Sequence, residues 1–350
     1  MPAGRRVRLS DVARDACVSA ATVSRAITQP ELLSVATLAR VRDSARRLGY
    51  VPDGAARALA SGRSDTIGAI VPTLDSAIFS QALQAMQATM AQEGFLLLVA
   101  AHESSPGAET QAVRALLSRG VDGLMLVGAE RAPETMAILK ASRVPVVLTW
   151  CGNREFSSVT IDNALAGRLA AQHLIALGHR RIAMITGPLF FNDRQAARLA
   201  GARAALAEAG LGLTDPLVSE QALSLAGGRH GCATLLELDE RPTAVIGGID
   251  LLAIGCIAEA HARGIDVPGS LSVVGIDGLD MSAHVSPSLT TVHVPTARIG
   301  QLAALKLIAQ VRGNAVEPES RLPVEMIVRR STSRPANQIS PREVGGQALR

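Results

Sequence analysis

The sequence lacks long apolar runs and a recognisable export signal. No apolar stretch in its 350 residues approaches the roughly 20 residues that a membrane span requires, so we expect no transmembrane helix and no membrane partner. The basic N-terminal residues are not followed by the apolar core that a secretory signal needs. We therefore expect a cytoplasmic protein.

Groups that carry metal or redox chemistry are also scarce. The four cysteines are scattered, with no Cys-x-x-Cys pair and no histidine at metal-ligand spacing. They are Cys17, Cys151, Cys232 and Cys256. His173 and His179 are six residues apart and do not share a helix face at ligand spacing. We expect neither disulfides nor a metal site.

Motifs of common enzyme classes are missing as well. There is no Gly-x-Ser-x-Gly sequence and no phosphate-binding loop, so nothing supplies an activated nucleophile or a nucleotide site. The seven histidines are better explained by packing at the surface and at strand ends. The sequence therefore predicts no catalytic residues, no cofactors and no enzymatic activity.

Positive charge is concentrated near the N-terminus. Residues 1–63 hold eleven arginines against five acidic residues, a net charge of +6, whereas the whole chain carries +4. This distribution fits a nucleic-acid-binding head on a nearly neutral body. An arginine-rich solvated helical surface would give the same distribution, so charge alone leaves both interpretations open.

Short capped helices are predicted at the start of the chain. They cover residues 11–16, 20–28 and 35–48, and each follows a serine that is suited to capping. The capping residues are Ser10, Ser19 and Ser34, and Gly49 ends the third helix. The sequence therefore begins with a small all-α module.

Apolar runs of strand length alternate with helical stretches from residue 66 onward. Two such series follow one another, with amphipathic helices such as residues 164–177 and 193–209 between the runs. This rhythm predicts an α/β domain of two lobes, each with a parallel sheet, and a cleft at the carboxyl ends of the strands. The predicted strands are residues 66–71, 95–100, 123–127 and 144–149, then 159–161, 181–186, 243–247, 271–276 and 290–294.

The segment of residues 9–27 carries a resemblance to a known family. It reads Leu-Ser-Asp-Val-Ala-Arg-Asp-Ala-Cys-Val-Ser-Ala-Ala-Thr-Val-Ser-Arg-Ala-Ile and resembles the helix-turn-helix signature of the lactose and galactose repressor (LacI/GalR) family. Apolar residues of its two helices can pack together and hold the second helix at the angle that enters the major groove of DNA. These residues are Val12, Ala13, Ala16, Val18, Val23 and Ile27.

The second of these helices is predicted to read DNA. Arg25 can contact a guanine edge or a phosphate, and short hydroxyl side chains suit phosphates. The predicted DNA-binding residues of the head are Ser10, Ala20, Ala21, Thr22, Ser24 and Arg25. Two departures from the family stand out: Cys17 occupies the turn where glycine is usual, and the small Ala20 and Ala21 leave the operator sequence undefined.

Residues 51–64 resemble the hinge helix of the family. This alanine-rich segment is too short to be a stable helix alone, so the resemblance implies that it orders between a partner chain and DNA. Leu59 is then the apolar wedge that enters the minor groove. A flexible linker with Leu59 docked on the body is the alternative, and Gly54 keeps it open. The implied partners are a second copy of the chain and a duplex DNA operator with two-fold symmetry.

The resemblance continues over residues 65–330, most clearly at residues 177–182 and 268–277, and it implies a periplasmic-binding-protein-like fold whose lobes are joined by three crossovers. The crossovers are placed near residues 152–160, 287–292 and 318–324. The implied domains are a helix-turn-helix domain at residues 1–50, a hinge at 51–64, an effector-binding and dimerisation domain at 65–330 and a flexible tail at 331–350. Within the third, the N-lobe covers about 65–155 and 292–320, and the C-lobe about 156–290 and 321–330.

Five residues are predicted to contact an effector in the cleft: Phe79, Trp150, Arg198, Asp250 and Asp277. Arg198 and Asp277 match an arginine and an aspartate that the family places there. Trp150 could stack on a sugar face, and Phe79 could form a wall of the first lobe. Ile249 replaces the asparagine that usually precedes Asp250, which weakens that assignment. For all five, the alternative is ordinary packing or ion pairing within the fold.

These features predict a DNA-binding transcriptional repressor whose operator affinity depends on a small-molecule effector. We favour a sugar or sugar acid, because Arg194 and Arg198 flank the cleft helix and could balance a carboxylate. One alternative is a solute-binding protein with the same two lobes, which would need an export signal and no DNA-binding head. A sugar-processing enzyme is the other.

Overall fold

The computed structural model describes residues 7–52 and 62–336, and the chain divides into two units, Met1–Asp65 and Thr66–Arg350. Within the described ranges, no helix is long and apolar enough to cross a membrane. The same part of the chain contains no cluster of side chains that could hold a metal ion.

The first unit contains the three predicted helices, α1 (Leu9–Asp15), α2 (Ala20–Thr28) and α3 (Val35–Leu48), with a short 3-10 turn at Pro30–Leu32. Ser19 caps α2 and Ser34 caps α3, as predicted, and Gly49 ends α3 with a φ of 63°. The Ser10 cap is wrong: α1 starts at Leu9, two residues before the predicted start, and is preceded by Arg8, whose backbone N–H donates to Asp11.

A small apolar core holds these helices together, and it contains the packing residues predicted from the sequence together with Ala26 and Val41. A polar contact adds to it. The Ser44 hydroxyl donates to the Asp15 carboxylate (2.5 Å), and Arg47 pairs with the same oxygen, so α3 is tied to the end of α1. These contacts lower the pKa of Asp15, with the Ser44 hydrogen bond as the larger cause.

The second unit contains two six-stranded sheets. The first has the order β11-β5-β4-β3-β1-β2 and the second the order β12-β10-β9-β8-β6-β7. All described pairings are parallel except that of β12 with β10. The first-sheet strands are β1 (Thr66–Val71), β2 (Leu96–Ala101), β3 (Gly123–Val127), β4 (Val146–Trp150), β5 (Ser157–Ile161) and β11 (Glu319–Leu322). The second-sheet strands are β6 (Ile182–Thr186), β7 (Val218–Glu220), β8 (Ala244–Gly247), β9 (Ser272–Asp277), β10 (Thr290–His293) and β12 (Glu325–Ile327).

Helices cover both sheets. The first lobe has α4 (Ala77–Gln92), α5 (Pro106–Ser118), α6 (Pro133–Ser142) and α11 (Thr296–Val311). The second has α7 (Asn163–Ala176), α8 (Asp193–Glu208), α9 (Leu225–Leu236) and α10 (Asp250–Ala262). The inner strands of both sheets are buried on both faces, as parallel sheets between helices require. This is the α/β architecture predicted from the sequence.

The position of the first crossover differs from the prediction. Residues 157–161 were placed in the second lobe, but β5 pairs in parallel with β4 and belongs to the first sheet. The following helix, α7, packs on α8 and on strands of the second sheet, so the chain crosses at Asp162. The prediction failed because β5 and α7 are adjacent in sequence and look like one strand-helix unit, whereas the fold places β5 in the first lobe and α7 in the second.

The prediction of a flexible tail from residue 331 is wrong for residues 331–333, and residues 337–350 lie outside the described residues. Ser331 is completely buried, and its hydroxyl donates to the Val273 carbonyl (2.5 Å) while it accepts from the backbone of Thr290 (2.8 Å). The backbone carbonyl of Ser333 accepts a hydrogen bond from His179 Nε2 (2.9 Å). Residues 331–333 are therefore part of the second lobe, because their polar groups complete hydrogen bonds inside it.

Two glycines allow the backbones of α7 and α8 to pack in direct contact. A Cβ atom added at Gly201 would lie 1.9 Å from the Ala164 carbonyl oxygen, and one at Gly167 would lie 1.9 Å from that of Arg198. Neither backbone can retreat without moving its helix. The two glycines therefore fix the position of α8, the helix that carries Arg194 and Arg198.

We expect the substitution Gly201→Ala to lower the free energy of unfolding by about 1–3 kcal/mol, because the added methyl group forces the two helices apart. Urea unfolding measures this change. Gly107→Ala is the matched control, since that helical glycine has open space around its Cβ position. Equal stability of the two variants would contradict the packing argument.

Candidate functional site

A cleft of about 650 Å³ lies between the two lobes of the second unit. Its walls come from the residues that follow β1, β2, β6, β7 and β8, so it is at the carboxyl ends of the strands, as predicted. The first lobe contributes Pro72, Thr73, Asp75, Ser76, Ile78, Phe79, Glu103 and Ser104. The second contributes Pro188, Asn192, Arg194, Gln195, Arg198, residues 222–226, Ile249 and Leu251.

Arg198 is the most constrained side chain of the cleft. It is 1% exposed, and its Nη1 donates to the Gly248 carbonyl (2.7 Å) and to Asp277 Oδ1 (3.1 Å). Its Nε donates to Asn163 Oδ1 (3.2 Å). Asn163 in turn donates to the Trp150 carbonyl (3.1 Å) at the end of β4. Arg198 therefore connects the cleft to the end of a first-lobe strand beside the first crossover.

Asp277 reaches the cleft through Arg198. It ends β9, is 3% exposed and is not among the residues that line the cleft wall. Burial raises the pKa of Asp277 to about 7, although the neighbouring Arg198 acts in the opposite direction. Its φ of 135° is unusual for a residue with a side chain. Asp277 is thus held in place mainly as the partner of Arg198.

The prediction that Asp250 contacts an effector needs correction. Its carboxylate is completely buried and accepts hydrogen bonds from Thr291 (2.5 Å), Ser282 (2.6 Å) and the backbone of Leu279 (2.8 Å). These bonds fix the loop after β9 and use both carboxylate oxygens. Asp250 follows β8 as predicted, but its side chain points into the second lobe and not into the cleft.

The two aromatic residues play different parts. Phe79 lines the cleft, and its ring meets that of Trp150 edge to face with the centroids 5.4 Å apart. Trp150 is 1% exposed and is not among the lining residues, so it supports Phe79 from behind. Stacking of Trp150 on a ligand, as we predicted, would require the ring to move.

Three polar residues were missed by the sequence analysis, two that line the cleft and one beside it. Asn192 is 7% exposed, and its Oδ1 has no hydrogen-bond partner among the described residues. Gln195 links β6 to β8 by accepting from Thr186 (3.0 Å) and donating to the Gly248 carbonyl (3.2 Å). Asp193 lies between them in sequence. Asn192 precedes α8, and Asp193 and Gln195 lie in its first turn. No motif in the sequence marks them.

Asp193 joins the lobes directly. Its Oδ2 accepts from the backbone N–H of Ala129 (2.6 Å) and of Glu130 (3.3 Å), which follow β3 in the first lobe. Its Oδ1 pairs with Arg194 (3.2 Å). A Cβ atom at Gly128 would lie 2.6 Å from Arg194 Nη1, so the glycine permits this approach. We refer to Asp193, Ala129 and Glu130 as the lobe seam.

A second set of charges lies beside the seam. Arg131 and Glu109 are both buried and form an ion pair (3.4 Å). His102 lies nearby, and burial, together with the charges of Arg194 and Arg131, lowers its pKa to about 4. His102 is therefore neutral near pH 7.

The predicted DNA-binding residues lie on the head as follows. Ala20, Ala21, Ser24 and Arg25 are exposed on α2, so these side chains are accessible to a partner. Thr22 is half-buried and its hydroxyl lies 2.9 Å from that of Ser19 within the cap. Ser10 is exposed on α1. Leu59 lies outside the described residues, and DNA contact by all these residues stays a prediction.

The turn between α1 and α2 accommodates a side chain. Cys17 adopts a left-handed conformation with a φ of 53°, which explains why glycine is favoured at such a position. Its side chain is exposed and therefore meets no steric obstacle from the core.

Comparisons with known proteins cover both units. Residues 8–53 match the family described as bacterial regulatory proteins, lacI family, and residues 171–332 match the periplasmic binding protein-like domain. Catabolite control protein A of Priestia megaterium is 32% identical over 93% of this chain and 99% of that protein. The HTH-type transcriptional repressor CytR of Escherichia coli K12 is 33% identical over 93% of this chain and 96% of its own length.

A solved structure agrees with these relatives. The lac repressor dimer bound to operator and the anti-inducer ONPF matches with a TM-score of 0.84 and 29% identity. The match covers 94% of this chain and 100% of that one. The helix-turn-helix head and the two-sheet body thus occur together in a known protein of the same fold.

The raised pKa of Asp277 leads to a prediction about pH. The folded protein retains this proton up to about pH 7, whereas an unfolded carboxyl group loses it near its ordinary pKa of 3.8. Stability contributed by this group is therefore largest at low pH and is lost as the pH rises toward 7. In urea unfolding at about pH 5 and about pH 8, we expect the wild type to lose more stability than Asp277→Asn.

Asp280→Asn is the control, because the Asp280 carboxylate is exposed. This variant is expected to follow the wild type at both pH values. Parallel behaviour of the wild type and Asp277→Asn would show that Asp277 is ionised throughout this range.

Proposed function

The chain belongs to the lacI family of bacterial regulatory proteins, and on that basis we propose that it is a transcriptional repressor controlled by a small molecule. The effector binds in the cleft between the lobes and changes the affinity of the head for an operator. The protein acts in the cytoplasm as a homodimer, and its activity is binding rather than catalysis.

One observation carries the effector half of this proposal. Arg198 lines the cleft and, through Asn163, reaches the Trp150 carbonyl at the end of β4. A ligand that bonds to Arg198 therefore acts on a network that spans the lobe junction. Since the ligand favours one arrangement of the lobes only by its differential affinity, the change in DNA affinity equals that coupling free energy, typically about 1–3 kcal/mol.

The DNA half rests on the exposed face of α2. One recognition helix covers half of an operator, so a two-fold symmetric site and a dimer follow. The lac repressor, a structural relative, binds its operator as a dimer. The proposed domain map keeps the head at residues 1–50, the hinge at 51–64 and the sensing domain from 65 onward, with Leu59 as the minor-groove wedge.

The alternatives are less well supported. A transport receptor with the same two lobes would have no use for a head with an exposed Arg25 on a capped recognition helix. For an enzyme, the buried acids Asp250 and Asp277 are already engaged by internal partners. Both observations favour a regulator.

We expect Arg25→Ala to weaken operator binding by about 1–3 kcal/mol if Arg25 contacts a base. A duplex selected from a random pool by the wild-type protein serves as the operator, and fluorescence anisotropy over a range of salt concentrations measures affinity. Loss of a phosphate contact would instead reduce the slope of log affinity against log salt by about 1.

Arg119→Ala is the matched control, because Arg119 is an exposed arginine at the end of α5 in the sensing domain. It is expected to leave operator binding unchanged. If Arg25→Ala and Arg119→Ala bind the operator equally well, the assignment of α2 as the DNA-reading helix is wrong.

The second substitution is Asp277→Ala, with Asp277→Asn as the variant that better preserves packing. Asp277→Ala is expected to abolish the effect of the ligand on operator affinity, because Arg198 loses its partner and no longer holds the cleft geometry. Asp277→Asn keeps an oxygen acceptor but not the charge, and it is expected to weaken the effect. Operator binding without ligand stays largely intact. Anisotropy with and without ligand gives the response, and calorimetry gives ligand affinity; a normal response in both variants would place the effector site elsewhere.

A further inference from the structure

We infer that the effector is an uncharged compound with a hydroxyl-bearing end and an apolar or aromatic substituent. This inference rests on the proposed function and narrows the ligand class of the same cleft. The sequence favoured a sugar or sugar acid, and this inference excludes both the acid and a bare monosaccharide. An aryl glycoside and a nucleoside share the required chemistry.

The cationic groups of the cleft are already neutralised. Arg198 lies 3.1 Å from Asp277, whose carboxyl group is ionised above about pH 7, and Arg194 pairs with Asp193 at 3.2 Å. A carboxylate entering the cleft would lose its hydration without finding an unpaired cation to replace it, which is unfavourable in a buried site. The two arginines that suggested a sugar acid therefore do not provide the charge that it needs.

The remaining charged residues of the cleft wall are acidic. Asp75 and Glu103, both from the first lobe, line the cleft and are exposed. Neither forms a salt bridge with a described residue. Their negative potential repels an anionic ligand before it reaches the interior.

Much of the second-lobe wall is apolar. Leu223 and Leu225 come from the loop and helix start after β7 and are 38% and 44% exposed. Ile249 follows β8, and Phe79 faces the cleft from the first lobe. Large exposed leucines in a cleft indicate a ligand that covers apolar surface. A bare monosaccharide, which presents hydroxyls around most of its ring, would leave these side chains poorly matched.

Two polar groups define the other end of the ligand. Asn192 is more than nine-tenths buried and lines the cleft, yet its Oδ1 has no partner within the described chain. Arg198 uses Nε and Nη1 for described partners, which leaves Nη2 for a ligand. The ligand therefore needs an O–H or N–H donor for Asn192 and an oxygen acceptor for Arg198. Neighbouring hydroxyl groups satisfy both.

Matched neutral and anionic compounds test this inference. The first set is phenyl β-D-glucoside, phenyl β-D-glucuronide and methyl β-D-glucoside, with the corresponding galactosides and galacturonide. The second is the common ribonucleosides, their 5′-monophosphates and ribose. A thermal-shift screen of the full-length protein at about pH 8, where Asp277 is ionised, finds binders, and calorimetry at the same pH measures their affinities.

We expect at least one neutral substituted compound to bind at least about tenfold more tightly than both its anionic counterpart and its unsubstituted sugar, a difference of about 1.4 kcal/mol. The set in which the binder falls distinguishes the aryl glycoside from the nucleoside. Equal or tighter binding of an acid, phosphate or bare sugar overturns the inference. So does a screen in which no neutral substituted compound binds.

A pair of substitutions locates the apolar end. Leu225→Ser is expected to weaken binding of the neutral substituted compound about tenfold, because one buried contact with the apolar group is lost. Leu165→Ser is the control. Leu165 also lies in the first turn of a helix, and its side chain is 38% exposed, but it is outside the cleft. Equal losses in the two variants would contradict the apolar contact.

Operator binding separates this inference from the proposed function. If a neutral substituted compound binds but leaves operator affinity unchanged, the ligand class stands and effector control fails. If a sugar acid binds and shifts operator affinity, effector control stands and the ligand class fails.

Discussion

The buried guanidinium of Arg198 is the group on which the arrangement of the cleft depends. Removing an arginine from water costs several kcal/mol, and this cost is offset only if charge and hydrogen bonds are supplied locally. Asp277 provides the charge, while Gly248 and Asn163 provide acceptors from β8 and α7. The requirement to satisfy one side chain thus fixes the ends of two strands, the start of a helix and the junction with the first lobe. The glycine contact between α7 and α8 sets the depth at which Arg198 enters.

Much of the fold follows from local patterns in the sequence. β1 and β3 were predicted to the residue, because continuous apolar runs bounded by polar segments are typical of strands buried on both faces. Serine caps predicted α2 and α3 equally well. The missed strands, β7, β11 and β12, are short, contain charged residues and lie at or next to sheet edges. Their pairing depends on distant chain segments, which a local pattern does not reveal.

The site was harder to predict, because position along a strand does not fix the direction of the side chain that follows it. Asp250 and Asp277 both lie beside strand ends, yet only Asp277 pairs with the arginine of the cleft. Trp150 occupies a similar position and packs behind Phe79. Asn163 and Asn192 carried no motif of their own, and their importance emerges only from the partners that the fold gives or denies them.

The lobe seam affects how tightly the protein binds its ligand, whereas the cleft wall determines which ligand it binds. Asp193 holds the backbone of Ala129 and Glu130 without belonging to the apolar wall that selects the ligand. The strength of this contact sets the fraction of free protein that already has the lobes together, and apparent ligand affinity scales with that fraction. Sequence drift at the seam can therefore adjust the concentration at which a gene responds, while the chemical identity of the signal stays the same.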